Sequence, residues 1–422
     1  MVVRALRVAA VLTLLAGCGS ATHSTPRRPG AGAPATVIAA VPRAAPRAAP
    51  TDATTLTEAN ARFAGRLLAL LARTQPTVAL SPFSISEALS MTYAGARGRT
   101  AKQIASALDF SVPLARLAAA FNAQTQSLAQ VTTPGATLEV ANALFGQSGQ
   151  NFRRPFLAIL ARDYGAGMHT VDFSNPAAVA QINGWVSDHT AGNIRRLLSP
   201  GALDSLTKLV LVDAVYLDAK WRSPFQHQNT HPDAFHAPGG TVQAPTMHQN
   251  ATFAYLSGDG YKALELPYRG GRLALDILLP SQGQLQALLA RIAASGPLRL
   301  LDGLAPQYVA VALPKFELRD QFDLTGPLAS MGMPLAFEPG HADLSGIAGP
   351  PGYLYIQHIV HEAYIDIDEA GTKAAAATAV VIGDSAIEAP PKIQFNVDRP
   401  FVFVLRDTRT GAILFTGVVS HP

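Results

Sequence analysis

The 422-residue sequence contains a single cysteine, Cys18, and that scarcity excludes a good deal. Without a second thiol the chain has no internal disulfide, no cysteine nucleophile in its body and no thiolate zinc site. Charge is scarce too: Asp, Glu, Lys and Arg make up 15% of the residues, against 48% hydrophobic ones. The net charge of +4 comes from the start of the chain, where Arg4, Arg7, Arg27, Arg28, Arg43 and Arg47 are accompanied by one acid, Asp52. Setting these seven aside leaves 27 basic and 28 acidic residues. The remaining basic pairs, such as Arg153–Arg154 and Arg195–Arg196, are isolated. Nucleic-acid binding draws on a clustered basic face, so no nucleic-acid partner is expected. There is no internal repeat and no second linker. What remains is a chain apolar enough to bury a sizeable core on its own.

The first residues have a recognisable order. Arg4 and Arg7 precede an apolar run, Val8 to Ala16, too short to span a bilayer as a mature helix but suited to the h-region of a signal peptide. Leu15-Ala16-Gly17-Cys18 resembles the lipobox of bacterial lipoproteins. That resemblance implies that Cys18 becomes a lipidated N-terminus and that the body is extracellular, touching the membrane through the anchor alone. Residues 19–54 are rich in Ala, Pro, Thr and Gly without periodicity, which predicts a disordered tether. The body is expected at residues 55–422.

Within the body, Thr55 and Glu58 have capping-box spacing, and Phe63, Leu67, Leu70 and Leu71 mark one helix face. Ser86–Ala96, Thr100–Leu108 and Asn175–His189 also read as helical. Leu209–Leu217 is almost continuously apolar, as in a strand buried on both faces. Leu273–Leu279, Tyr308–Leu313, Tyr353–Ile359, Ala363–Ile367, Phe401–Leu405 and Ile413–Val419 read as further strands. Helices lead the first half and strands the second, an α+β arrangement.

Residues 368–391, DEAGTKAAAATAVVIGDSAIEAPP, lie between an alternating strand and a Pro-Pro stop. Their composition suits helix through Ala and strand through Thr and Val. Every second residue from Thr372 (Ala374, Ala376, Thr378, Val380) is small or β-branched. As a strand, that face could slide into a crowded sheet, with Lys373 on the other face in solvent. By itself the segment equally suits an Ala-rich loop.

The surrounding motifs are more specific. Ser81-Pro82-Phe83-Ser84-Ile85-Ser86, Asn142-Ala143-Leu144-Phe145, Asn183-Gly184-Trp185-Val186 and Asp218 to Phe225 occur in order along the chain. Leu313-Pro314-Lys315-Phe316, Ala342 to Ile347 and Asp398-Arg399-Pro400-Phe401 follow. In this the chain resembles the serpin family from about residue 55 to its end. The resemblance implies three β-sheets surrounded by about eight to nine helices, with residues 369–391 as an exposed reactive-centre loop. It implies a suicide inhibitor of serine proteases, with cysteine proteases as an open alternative, and no catalytic residues of its own. Glu369, Gly371, Thr372, Ala374, Ala375, Ala376 and Ala377 match the hinge of inhibitory members; a non-inhibitory binding protein is the competing reading. The family count places the reactive bond at Ser385–Ala386, with Ile382–Gly383 and Ala386–Ile387 as competitors. No Lys or Arg lies near it, so the expected partner is a protease with a small or aliphatic pocket. No cofactor is implied, and a monomer is expected.

Ser81, Asp213 and His361 also occur in the order of a hydrolase triad, yet Ser81 has no G-x-S-x-G elbow. In serpins Ser81, Ser84 and His361 match a buried cluster, the shutter, under the main sheet, where Asn is usual at the position of Asp213. A buried Asp213 would need a partner, and His361 is expected to supply a proton or positive charge and so make sheet opening pH-dependent. His227, His231, His236 and His248 lack helical or finger spacing; they are read as surface histidines, and no metal site is expected.

Overall fold

The computed structural model describes residues 33–133, 135–372 and 391–422. Eight α-helices and two hydrogen-bonded β-networks make up these residues, so the α+β class holds. The seven-stranded main sheet runs in the order Ala35–Val37, Met168–Val171, Ala136–Gln147, Leu209–Lys220, Gly371–Thr372, His358–Ile367, Phe316–Asp323. The second network is continuous because one 19-residue strand, Gly240–Gly258, serves two arms. Its residues 240–247 pair with Thr230–Ala237, residues 246–255 with Ala305–Pro314, and its last residues with Tyr261–Pro267. The second and third expected sheets are thus joined through that strand.

The continuous apolar run Leu209–Leu217 is explained by what covers each face. Leu209, Leu211, Val215, Leu217 and Ala219 enter the main core. Val210, Val212 and Ala214 enter a second, smaller core with Ile182 and Val186 of helix Ala178–His189. A strand sandwiched this way has no solvent face and therefore no alternation. Beneath the main-core face lies helix Pro82–Gly95, buried around nearly its whole circumference, with proline at its first position, where a missing N–H costs nothing.

Two boundaries differ from expectation. The first helix spans Pro50–Leu71, five residues earlier than the Thr55 capping box; the Thr55 hydroxyl instead donates back to the Thr51 carbonyl inside the helix. Pro50 supplies the start, and Asp52 in the first turn is buried against Arg116, whose Nε lies 2.9 Å away. The described part of the expected tether, residues 33–54, is likewise ordered. Ala35–Val37 pairs antiparallel with Met168–Val171, and the Ala44 carbonyl accepts from Asn122 and Gln126. A three-residue edge strand and an extended segment held by side-chain amides leave no periodic pattern to read. Further along, Tyr353–Ile359 is not a strand: a turn leads into one strand, His358–Ile367. Leu354 and Ile356 alternate because both plug the core.

Candidate functional site

The most unusual feature of the main sheet is a seam between two parallel strands. Leu209–Lys220 and His358–Ile367 pair directly from Val210↔His358 to Tyr216↔Tyr364. Above that level they part, and Gly371–Thr372 lies between them, antiparallel to both: Thr372 faces Ala219 on one side and Ile367 on the other. The chain that leaves the top of one strand has turned back and begun a new strand in the gap.

This wedge is anchored from every side. Thr372 is fully buried, and its hydroxyl shares a 2.6 Å hydrogen bond with the Tyr268 hydroxyl. The Trp221 indole stacks on Tyr268 with ring centroids 4.3 Å apart and donates from Nε1 to the Asp368 carbonyl at 2.9 Å. The backbone N–H groups of Trp221 and Phe225 donate to the carbonyls of Ala370 and Glu369. Asp368 closes the turn by accepting from the N–H groups of Ala370 and Gly371. At Gly371 the backbone is left-handed (φ +154°), and a Cβ would lie 2.0 Å from the Ala219 carbonyl oxygen; only glycine fits without a backbone shift.

Glu369 is the electrostatic part of the anchor. Its buried carboxylate accepts from Lys315 Nζ at 2.9 Å and from the Thr230 hydroxyl at 2.9 Å. Burial pushes the carboxyl up, but the Lys315 hydrogen bond and charge, its own backbone N–H and Thr230 outweigh that and hold it below the ordinary glutamate range.

In the middle of the seam the character changes. Asn142, Asp213 and His361 occupy one row across three neighbouring strands and face helix Pro82–Gly95. Asp213 and His361 are wholly inaccessible to solvent. His361 Nδ1 bonds the Asp213 carboxylate, while its Nε2 lies 3.0 Å from the Ser81 backbone N–H. The Ser81 N–H can only donate, so Nε2 is the acceptor and the proton sits on Nδ1. Of the two expected alternatives, a proton or a positive charge, His361 thus supplies Asp213 with a proton through Nδ1–H. Ser84 donates its hydroxyl to Asn142 Oδ1. Asn142 donates to Glu87 Oε2 at 2.8 Å, and Thr125 donates to Glu87 Oε1 at 2.6 Å. Burial raises the Glu87 carboxyl above its usual range against those two bonds.

The structure thus brings Ser81, Ser84, Asp213 and His361 together, and Glu369, Gly371 and Thr372 together above them. The triad geometry fails. Ser81 meets His361 through its backbone, and its hydroxyl is buried without a partner. Ala374–Ala377, the reactive-bond candidates Ile382, Gly383, Ser385, Ala386 and Ile387, and Cys18 lie outside the described residues. Sequence reading missed Trp221 as a hinge anchor, and missed Tyr268, Lys315, Thr230 and Glu87. Glu87, the one charged residue of the helix Pro82–Gly95, was the one signal available. Strand pairing, which spacing cannot reveal, sets His231, Asp233 and His248 side by side.

Comparison with known proteins agrees with this geometry. Residues 58–422 match the family model described as Serpin (serine protease inhibitor). A serpin-like protein of Thermococcus kodakarensis is 39% identical, over 83% of this chain and 82% of its own. The leukocyte elastase inhibitor of Equus caballus is 37% identical, over 87% and 99%. The crystal structure of Serpin48 from the insect Tenebrio molitor superposes with a TM-score of 0.77 at 34% identity, covering 87% of this chain and 98% of that one.

Proposed function

The chain belongs to the serpin family of protease inhibitors, and from that premise we propose that it traps its target by inserting a cleaved loop into the seam. The observation that carries this reading is the register of the wedge. Thr372 faces Ala219 and Ile367, and each step forward along the loop is one step back along both flanking strands. Extended downward on insertion, that register would put Ala374 between Leu217 and Ile365, and Ala376 between Val215 and Ala363. Thr378 would fall between Asp213 and His361, and Val380 between Leu211 and Ile359. All of these flanking side chains face the main core and are buried, so only small or β-branched newcomers fit.

A protease that attacks the loop forms an acyl-enzyme. Cleavage frees the hinge side to add as a strand. About sixteen residues at ~3.3 Å each would carry the tethered enzyme roughly 50 Å. Distortion then ends deacylation, since a displacement of ~1 Å at a catalytic centre can cost ~100-fold. The inhibitor acts as a one-use substrate and needs no catalytic group. The run without Lys or Arg around Ser385–Ala386 suits a serine protease with a small or aliphatic pocket, in keeping with the inhibitor of leukocyte elastase among the relatives. The signal-like start and Cys18 support a body held outside the cell on a lipid anchor, and the inhibitor is read as a monomer. Among the described residues no helix is long and apolar enough to cross a membrane.

The test mixes the full chain with an elastase-like and a subtilisin-like protease, followed by denaturing electrophoresis and mass spectrometry. An adduct that survives denaturation, with a released peptide beginning at Ala386, is expected. Cleavage across a broad protease panel with no adduct would overturn the trapping reading in favour of a non-inhibitory binding protein.

A further inference from the structure

We propose that His231, Asp233 and His248 form a binding site for a divalent cation of the zinc class. The site arises from strand pairing. His231 and Asp233 are two residues apart on Thr230–Ala237 and so share a face. His231 faces Thr246 across the hairpin, and His248, two residues beyond Thr246 on the long strand, reaches the same face. Asp233 Oδ1 lies 3.0 Å from His231 Nδ1, and its Oδ2 lies 3.0 Å from His248 Nε2. The two imidazoles stack with centroids 4.2 Å apart. All three ligand atoms fall within 4.8 Å of one another. Tetrahedral zinc with bonds of about 2.0–2.1 Å separates its ligand atoms by about 3.3 Å, so modest ring and carboxylate rotations bring the three onto one ion. Exposure of 58%, 37% and 30% for His231, Asp233 and His248 leaves the rings free to turn and the site open from solvent.

His248 Nε2 is buried and, although near Asp233, makes no properly directed hydrogen bond. Two neutral imidazoles and one carboxylate form a borderline donor set that suits zinc better than calcium or magnesium, which prefer all-oxygen shells. Three protein ligands leave a fourth position for water.

The location gives the site a consequence. Thr230, adjacent to His231, holds the hinge carboxylate of Glu369 from the opposite face of the strand. His248 is also paired to Ala312, three residues before the Lys315 that completes the same clamp. An ion joining His231 to His248 fixes the strand that carries Thr230 to the long strand on which the segment leading to Lys315 is paired.

The experiment titrates the full chain with Zn2+ by calorimetry and with Co2+ by visible absorption, where tetrahedral cobalt is distinctive. One equivalent is expected, weakened at least ~10-fold in His231→Ala and in His248→Ala and unchanged in His236→Ala. Asp233→Asn keeps the shape and removes the charge; if the histidine variants fail to fold, its loss of affinity decides. Bound zinc is also expected to slow amide exchange at Ala370 and Gly371. Absence of binding, or binding of undiminished affinity in His231→Ala, His248→Ala and Asp233→Asn, would overturn the site. Zinc binding without slower exchange would remove its link to the hinge.

Discussion

The upper end and the middle of the seam are closed by different physics. At the top, Gly371–Thr372 already separates the strands, held by hydrogen bonds to backbone carbonyls, a Trp221–Tyr268 stack and the Glu369 clamp. In the middle the strands touch, and a wholly buried Asp213–His361 pair joins them. The top offers an entering strand replacement partners, since each ladder bond it breaks it can make again. The middle offers none until the pair has been pulled apart by one strand width, about 4.8 Å. A seam open and polar above, shut and buried below, starts insertion easily and then resists it. That ordering suits a loop that must wait for a protease.

The strongest way to break this comparison is to block the middle from the loop side. Ala376→Arg would drive a cation between Val215 and Ala363, both buried, at a cost of several kcal/mol per unpaired ion. Covalent adduct should fall at least ~100-fold, with the chain cleaved as an ordinary substrate. Ala375→Arg, which the same register turns away from the main core toward the Tyr216 and Tyr364 pair, should lose less. Equal losses in densitometry of the two variants would refute the register.

The next largest effect separates the two partners of the buried pair. His361→Ala strands the Asp213 carboxylate and the Ser81 N–H in a dry site, and should destabilise by about 3–5 kcal/mol in denaturant unfolding. Asp213→Asn keeps an acceptor for His361 Nδ1–H and removes the charge, so it should stay within about 1 kcal/mol of the parent or be more stable. If Asp213→Asn proves as damaging as His361→Ala, the carboxylate itself holds the seam.

At the top, Gly371→Ala is expected to expel the wedge. The new Cβ meets the Ala219 carbonyl and the Lys220 backbone, so Thr372 should leave its buried place and lose the Tyr268 bond. A loss of about 1–3 kcal/mol, read as faster amide exchange at Trp221 and Phe225, is the expected outcome. Unchanged exchange would mean that the wedge accommodates a side chain and is no anchor.

Much of this was legible from residue order, and the illegible parts share one cause. Leu209–Leu217 announced a strand buried on both faces because burial on two sides erases alternation. Asp213 stood out because the family usually has Asn at its position, and Gly371 as part of the matched hinge. The grip on Glu369 was not legible: Thr230 and Lys315 lie 139 and 54 residues away, and nothing local marks either. The His231–Asp233–His248 face was invisible for the same reason, since a hairpin register brings it together. The stretch 33–54 was misread because its order comes from Asn122 and Gln126, residues on another element, rather than from any pattern of its own.

The smallest expected effect tests how far the upper clamp is electrostatic. The folded chain holds the Glu369 carboxyl below its ordinary range, so the clamp favours the ionised form. A depressed carboxylate contributes stability that is present above its unfolded value and is lost as pH falls through its folded one. Glu369→Gln removes that contribution while keeping an oxygen for Thr230, and should cost about 1–2 kcal/mol at neutral pH. The gap between parent and variant, followed by thermal melting against pH, should be constant above the ordinary glutamate range. It should close as the solution becomes more acid than the depressed value. Lys315→Met should lower the parent at neutral pH and make little difference in the Glu369→Gln background, because the two groups act on each other. A gap that persists into acid would assign the clamp to shape and hydrogen bonding alone, leaving the top of the seam no more charge-dependent than its apolar flanks.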